Sequence, residues 1–87
     1  MTDEDIRRVI AEALDYAAVF QFRRAAIQSA FIAGEADMSI EAIALDSLSE
    51  MELCIAIEVN TGVSILPQEV RAMATLADLV AAVRKAV

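Results

Sequence analysis

Residues 43–80 read IALDSLSEMELCIAIEVNTGVSILPQEVRAMATLADLV, and this stretch decides the fold because it carries several helix start and stop signals. Ser47 with Glu50 three positions later has the pattern of a capping box. This pattern predicts a helix that begins at Ser47 and carries the apolar run of residues 48–59. Gly62 predicts the end of that helix, because glycine readily adopts the left-handed conformation of a C-terminal cap.

The remainder of this stretch predicts a short extended segment and two further helices. Pro67 disfavours helix at the preceding residue, so residues 63–66 should be extended. Proline is favoured at the first helical position, which predicts a short helix from Pro67 to about Ala72. Thr75 and Asp78 form another capping box, which predicts the start of the last helix. Its apolar face comprises Leu76, Leu79, Val80 and Val83.

The N-terminal half predicts a third long helix. Thr2 and Asp5 form a capping box, and apolar residues then recur at helical spacing. The pattern continues to Gly34, but a helix of about 30 residues is unusually long for a compact domain. We therefore expect a break at residues 21–24, followed by a short helix or ordered loop. Residues 34–39, GEADMS, are predicted to form a connecting loop.

The composition supports helices in one small domain. The chain has 87 residues, of which 59% are apolar and only 5% are aromatic. This mixture favours close-packed helices over a sheet. A chain of this size buries only roughly 60–65% of its unfolded surface, which argues against a deep enzyme pocket. We predict one all-α domain over residues 1–87, a small bundle of three longer helices and one short helix.

Acidic residues dominate the charge. Fourteen acids and seven bases give a formal charge of −7, and residues 25–70 contain no basic residue. Nucleic-acid binding draws on Lys and Arg contacts to phosphates, so no nucleic-acid partner is expected. An acidic middle favours encounter with basic partners, but from the charge alone we prefer the simpler explanation, a solvated face that keeps a small protein soluble.

Missing residue types narrow the chemistry. The chain has no His, which is the commonest general base and metal ligand, and no acidic spacing resembles a calcium loop. We therefore predict no enzyme activity and no metal site. Cys54 is the only cysteine, and we expect a buried, inert thiol in a reducing compartment. The acidic start and the lack of an apolar run of about 20 residues predict a cytoplasmic protein rather than a membrane protein.

The run of residues 43–80 resembles the acyl carrier proteins of fatty-acid and polyketide synthesis. In that family an apolar residue, Gly and any residue precede Asp-Ser-Leu, and a helix with Glu-Leu, an Ile-Pro loop, a short helix and Thr follow. Ile65 and Pro67 approximate the Ile-Pro step with one residue inserted. The matching residues are Asp46, Ser47, Leu48, Glu52, Leu53, Ile65, Pro67 and Thr75.

The resemblance implies a cofactor and partners. Ser47 would carry 4′-phosphopantetheine, whose thiol holds acyl groups as thioesters, with Asp46 and Leu48 completing the attachment motif. The partners would be a phosphopantetheinyl transferase and acyl-loading and acyl-processing enzymes, which act on a monomer. The fold would be the family's four-helix bundle with a lengthened N-terminal helical region. A cleft beside the helix that follows Ser47 would shelter the acyl chain.

Some residues depart from the family pattern. The glycine three positions before the serine is Ala44 here, and residues 59–61 lack the large aromatic side chain common there. These differences indicate a specialised carrier. Fatty acyl, polyketide, aminoacyl and unusual lipid cargoes all remain open.

Helical geometry at about 100° per residue divides the helix after Ser47 into two apolar faces. Leu53, Ala56 and Ile57 share one arc, which should face the core. The other arc would dock onto a basic-rimmed enzyme surface, unless the bundle buries both arcs. The predicted partner surface comprises Leu48, Glu50, Met51, Glu52, Ile55 and Glu58.

Two alternatives to an acyl carrier remain. The chain could be a helical interaction module that is never modified, or it could carry aminoacyl groups.

A phosphodiester on Ser47 would lie at a helix N-terminus, where backbone N–H groups and the helix dipole favour an anion. A separate transferase would perform the attachment, so this chain needs no general base of its own.

Overall fold

The computed structural model describes residues 1–17, 19, 22 and 24–87, and this part of the chain is all-helical, as predicted. An isolated antiparallel bridge between Ser39 and Thr75 is the only β-type pairing among the described residues. The six α-helices of the described residues are α1 Asp3–Tyr16, α2 Ala25–Ile32, α3 Ile40–Ile43, α4 Ser47–Thr61, α5 Pro67–Arg71 and α6 Leu76–Ala86. Helices α1, α4 and α6 are the three longer ones, and α5 is the short helix expected before the last.

Side-chain caps fix the starts of the first and last helices where the sequence predicts them. The backbone N–H of Thr2 donates to Asp5 at 2.9 Å, and the N–H of Asp5 donates to the Thr2 hydroxyl at 3.2 Å. Thr75 and Asp78 form the same reciprocal pair at 3.2 and 3.3 Å. Both predicted capping boxes are confirmed, because each satisfies N–H groups that have no partner within the helix.

The N-terminal half contains one short helix, α3, that the sequence analysis did not predict. A break does separate α1 from α2, but α1 already ends at Tyr16, before the predicted break at residues 21–24, of which Gln21 and Arg23 lie outside the described residues. Helix α3 was not predicted, because its four residues are too few to show a helical period. The Ser39 hydroxyl starts it by accepting from the backbone N–H of Ala42 at 3.0 Å.

The core lies between α1, α4 and α6. Helix α1 contacts α4, α2 and α6, and the predicted apolar face of α6 is buried along its length. Phe22 and Phe31 pack edge to face with their ring centroids 5.5 Å apart, a favoured arrangement for aromatic pairs. The fully buried aliphatic residues include Ile10, Leu14, Ile43, Leu53, Ile57, Val70, Leu76 and Leu79.

Backbone hydrogen bonds join the segment before α3 to the segment before α6. The N–H of Ile40 donates to the carbonyl of Ala74, and the N–H of Leu76 donates to the carbonyl of Met38, both at 2.9 Å. Together they enclose the Ser39–Thr75 bridge. They hold two segments that are far apart in sequence side by side.

Within the described residues, none of the helices combines the length and apolar character needed to cross a bilayer.

Candidate functional site

Ser47 is exposed and is the first residue of α4, which confirms the predicted helix start, but Ser47 does not cap the helix. The cap is Asp46, whose carboxylate Oδ1 accepts from the backbone N–H of Ser49 at 2.7 Å. The predicted capping box of Ser47 with Glu50 is therefore wrong. The Ser47 hydroxyl makes no hydrogen bond with the described residues, and it stands on the first turn without a structural role.

Hydrogen bonding to Ser49 lowers the pKa of the Asp46 carboxyl below its ordinary value of 3.8. The N–H groups at a helix start stabilise the ionised carboxylate, which accepts their hydrogen bonds. Because the folded-state pKa is lowered, the cap stabilises the fold above the ordinary pKa. This contribution is lost as the pH falls through the folded-state pKa.

We expect Asp46→Ala to lower the Tm at pH 7, because the N–H of Ser49 then loses its acceptor at the start of α4. The difference in Tm between this variant and the unchanged protein should shrink as the pH falls below about 4, the ordinary pKa of an aspartate in the unfolded chain, and should disappear below the lowered folded-state pKa. Thermal unfolding across pH 2–7 measures it. Asp46→Asn is the control, since its amide oxygen accepts the same bond without titrating. Equal Tm values for the unchanged protein and the alanine variant at pH 7 would contradict the capping role.

The turn that leads into Ser47 depends on a left-handed residue. Ala44 ends α3 with φ 54° and ψ 51°, and its N–H donates to the carbonyl of Glu41 at 3.1 Å. It is the only residue other than glycine with positive φ in the described part of the chain. This is the position at which acyl carrier proteins have glycine. The backbone explains such a preference, because a side chain in this conformation costs roughly 1–2 kcal/mol.

Ala44→Gly is expected to raise the free energy of unfolding by about 0.5–1 kcal/mol, since relief of the left-handed strain exceeds the entropy that glycine adds to the unfolded chain. Urea unfolding measures the change. Ala72→Gly is the matched control, because Ala72 ends the short helix α5 with φ −81°. There the free energy of unfolding should fall. A fall at both positions would show that Ala44 is unstrained.

The two faces predicted for α4 are found in the structure. Leu53 and Ile57 are fully buried, and Ala56 is half-buried against the core. The opposite arc is exposed, with exposed fractions of 64% for Leu48, 54% for Met51 and 55% for Ile55. The alternative in which the bundle buries both arcs is thereby excluded.

Val59 extends the exposed arc and was missed by the sequence reasoning. It is 77% exposed and follows Ile55 by four positions, so it lies on the same side of the helix. The spacing alone was enough to find it. We call Leu48, Met51, Ile55 and Val59 the apolar stripe.

The structure removes Glu50 from the predicted partner surface. Its side chain is only 6% exposed, and its carboxylate accepts from Nη1 of Arg71 at 2.9 Å. Glu50 follows Ser47 by three positions, so the two residues are neighbours on the helix. The Glu50 side chain is buried, whereas Ser47 is exposed. Of the other predicted acids, Glu52 is half-buried and Glu58 is exposed, where it accepts from the Ser64 hydroxyl at 3.3 Å.

A pocket of about 630 Å³ is lined by residues that precede and follow Ser47 in the sequence, among them Leu45 and Glu50, and by Arg71. The sequence reasoning did not single out Arg71, because its partner Glu50 is 21 positions away and no local pattern links them. The pocket lies between α3, the first turn of α4 and the segment joining α5 to α6. It is lined by Ser39, Ile40, Glu41, Ala44, Leu45, Glu50, Arg71, Met73 and Ala74.

Cys54 is buried, as the sequence predicted. Burial raises the pKa of its thiol above the ordinary value, and the nearby Glu50 and Glu69 raise it further. Such a thiol stays protonated and unreactive at neutral pH. Among the described residues, no group of three or more Cys, Asp or Glu side chains is placed to hold a metal ion.

Comparisons with known proteins do not assign this chain to a family. No protein-family model, no curated protein and no solved structure significantly matches the chain.

Proposed function

We propose that this chain is a carrier protein of the acyl type, with 4′-phosphopantetheine attached to Ser47 and acyl groups carried on the thiol of that arm. The observation that supports it most is the exposed Ser47 hydroxyl on the first turn of α4, directly after Asp46 and free of any structural bond. A tethered group needs an attachment point that an enzyme can reach. In this proposal α1, α4, α5 and α6 form a four-helix bundle of the acyl-carrier type, in the cytoplasm.

The start of α4 suits the phosphodiester of such an arm. The N–H of Ser49 donates to the Asp46 side chain, and the N–H of Glu50 donates to the Asp46 carbonyl. The N–H groups of Ser47 and Leu48, at the first two helical positions, have no acceptor within the helix, and hydrogen bonding from the Leu48 N–H contributes to the lowered pKa of the Asp46 carboxyl. The N–H of Ser47 and the positive end of the helix dipole would stabilise a phosphate next to Ser47.

The apolar stripe supports docking onto partner enzymes. Its four residues are exposed along the length of α4, and Glu52 and Glu58 lie beside it. The stripe supplies apolar contact area, and the acids favour a partner with a basic rim. We therefore assign it to a phosphopantetheinyl transferase and to acyl-loading and acyl-processing enzymes. Glu50 takes no part in this contact, because Arg71 holds it inside.

The proposal is tested by mass spectrometry after incubation with coenzyme A, Mg²⁺ and a broad-specificity phosphopantetheinyl transferase. The chain should gain one phosphopantetheine, and Ser47→Ala should gain none. Ser64→Ala is the matched control, because Ser64 is also exposed but lies outside the motif, and it should be modified normally.

An unchanged mass with several different transferases would contradict the carrier function. The second candidate, an unmodified interaction module, would then be favoured, because the apolar stripe is exposed whether or not Ser47 is modified. That candidate requires a partner that binds the unmodified chain and loses affinity when Met51 is replaced by Glu.

A further inference from the structure

Another pocket, of about 350 Å³, is formed by α1, α6 and the loop that follows α2, and we call it the α1–α6 pocket. Among the described residues, α4 contributes nothing to its lining, and it shares no residue with the pocket that Arg71 lines. Its volume lies at the lower end of the range of small-molecule sites. The charged residues that line it are Asp3, Arg7, Glu35, Asp37 and Arg84.

The guanidinium of Arg7 is held in this pocket from two sides. Its Nη1 donates to the carbonyl of Ile32, the last residue of α2, at 2.9 Å. Gly34 leaves room for it, because a Cβ there would lie only 2.9 Å from Nη1 and 3.0 Å from Cζ. A guanidinium has five N–H donors, and Arg7 makes no other hydrogen bond or ion pair with the described residues. Donors therefore remain for a ligand, on a side chain that is already ordered.

Two carboxylates line the same pocket from the loop that follows Gly34. Glu35 is the next residue, and its exposed carboxylate has no partner among the described residues. Asp37 uses Oδ1 to accept from the backbone N–H groups of Met38 at 2.8 Å and Ala77 at 3.0 Å. Its Oδ2 is left for a ligand. The guanidinium and the first carboxylate are separated by a single glycine, so opposite charges lie close together.

These charges restrict the ligands that the pocket favours. Asp3 and Arg84 pair at 3.2 Å and neutralise each other, which leaves Arg7 with the carboxylates of Glu35 and Asp37. A simple anion would accept from Arg7 but would be repelled by the carboxylates. A simple amine would cover the remaining donors of Arg7 without giving them an acceptor, which is unfavourable. A ligand that carries both charges close together avoids both costs.

We infer that the α1–α6 pocket binds a small zwitterion, an α-amino acid with an aliphatic side chain. Its carboxylate accepts from Arg7, and its ammonium group donates to Glu35 and Asp37. In an α-amino acid one carbon atom separates the two charged groups, which matches the closeness of the opposite charges in the pocket. The aliphatic side chain packs on Phe31 and Val80, which form the apolar wall. This site is independent of attachment at Ser47.

The test uses the full, unmodified chain labelled with ¹⁵N, and L-leucine as the probe. At millimolar concentration, leucine should shift the NMR signals of the Gly34 and Ala77 amides and of the Arg7 Nε–H until they saturate, and should leave Leu48 unchanged. 4-Methylpentanoate and 3-methylbutylamine keep the branched chain but lack the ammonium group or the carboxylate. Each should bind roughly tenfold more weakly, the effect of losing one hydrogen bond to a charged group.

Gly34→Ala and Gly62→Ala form a matched pair of variants. Both glycines have positive φ, 80° and 78°, so alanine introduces similar backbone strain at each. Only at Gly34 would the new Cβ displace Arg7, because no described atom lies within 4 Å of a Cβ at Gly62. Leucine binding should weaken roughly tenfold in Gly34→Ala, the same loss of one charged hydrogen bond, and should be unchanged in Gly62→Ala.

Arg7→Gln removes the charge itself and should abolish the saturable shifts. Arg8→Gln is its control, because Arg8 pairs with Glu4 at 3.7 Å on the exposed side of α1 and does not line the pocket. Leucine should bind this control normally.

Three results on the unchanged protein would overturn the inference, even if the variants fail to fold. The first is no saturable shift with leucine, which would leave Arg7 only the structural role of joining α1 to the end of α2. The second is equal affinity for leucine and either analogue, which would show that the pocket does not recognise both charges. The third is a shift at Leu48 instead of Gly34 and Ala77, which would place the binding elsewhere.

Discussion

Replacing Leu53 by alanine is expected to lower the free energy of unfolding by about 2–5 kcal/mol. Leu53 is fully buried at the middle of α4, the helix that contacts α1 across the core. Removing its isobutyl group forfeits the transfer free energy of the lost carbons and leaves a cavity, because neighbouring elements relax only partly. Urea or thermal unfolding monitored by circular dichroism measures the effect.

Leu48→Ala is the control on the same helix. Leu48 is 64% exposed, so the same chemical change should alter the free energy of unfolding by less than about 0.5 kcal/mol. In the proposed function this variant should bind partner enzymes more weakly, which separates a docking residue from a core residue. Similar losses of stability for the two variants would mean that the core and exposed faces of α4 are wrongly assigned.

Replacing Arg71 by alanine should lower the free energy of unfolding by about 2 kcal/mol, because it leaves the Glu50 carboxylate buried without its partner. The loss should be smaller than for a fully buried pair, since the Arg71 side chain is 56% exposed and water can approach the vacated space. Chemical denaturation at pH 7 measures it.

Two further variants show whether the cost comes from the stranded carboxylate. Arg84→Ala removes an exposed pair with Asp3 and should change the free energy of unfolding by less than about 1 kcal/mol. The double replacement of Glu50 and Arg71 by Leu should recover most of the loss, because it removes the unpaired charge as well. If Arg71→Ala proves as mild as Arg84→Ala, the Glu50–Arg71 pair contributes little to the fold.

The sequence predicted the faces of α4 well because burial there follows a simple period. At about 100° per residue, Leu53 and Ile57 fall on one side, while Leu48 and Met51 fall on another. The apolar face of α6 was predicted for the same reason. In both helices the apolar residues that recur at helical spacing are the ones buried in the core, so the spacing alone predicts which side chains are buried.

The helix start at Ser47 was predicted, but the residue that caps it could not be predicted in this way. Asp46 and Ser47 are both favourable N-cap residues, and each has a suitable partner three positions later, Ser49 or Glu50. In the structure Asp46 is the cap, and the Glu50 carboxylate accepts from Arg71 instead of turning back to the start of the helix. A contact across 21 positions leaves no trace in a local pattern.

That long-range contact also decides the character of the candidate site. The sequence analysis placed Glu50 on the predicted partner surface, and charged residues do usually face water. Pairing with Arg71 allows the Glu50 carboxylate to be buried, where it lines the pocket.

Helix α3 was missed for a different reason, since a single turn has too few residues to display a helical period.

The hydrogen bonds that join residues 38–40 to residues 74–76 give the pocket one fixed edge and one releasable edge. On the fixed edge, main-chain bonds from Ile40 to Ala74 and from Leu76 to Met38 do not depend on which side chains are present. On the opposite edge, α5 is tied to α4 by the side chains of Arg71 and Glu50. Substitutions at Glu50 or Arg71 can therefore alter the second edge of the pocket, whereas the main-chain bonds of the first edge persist whatever side chains those positions carry.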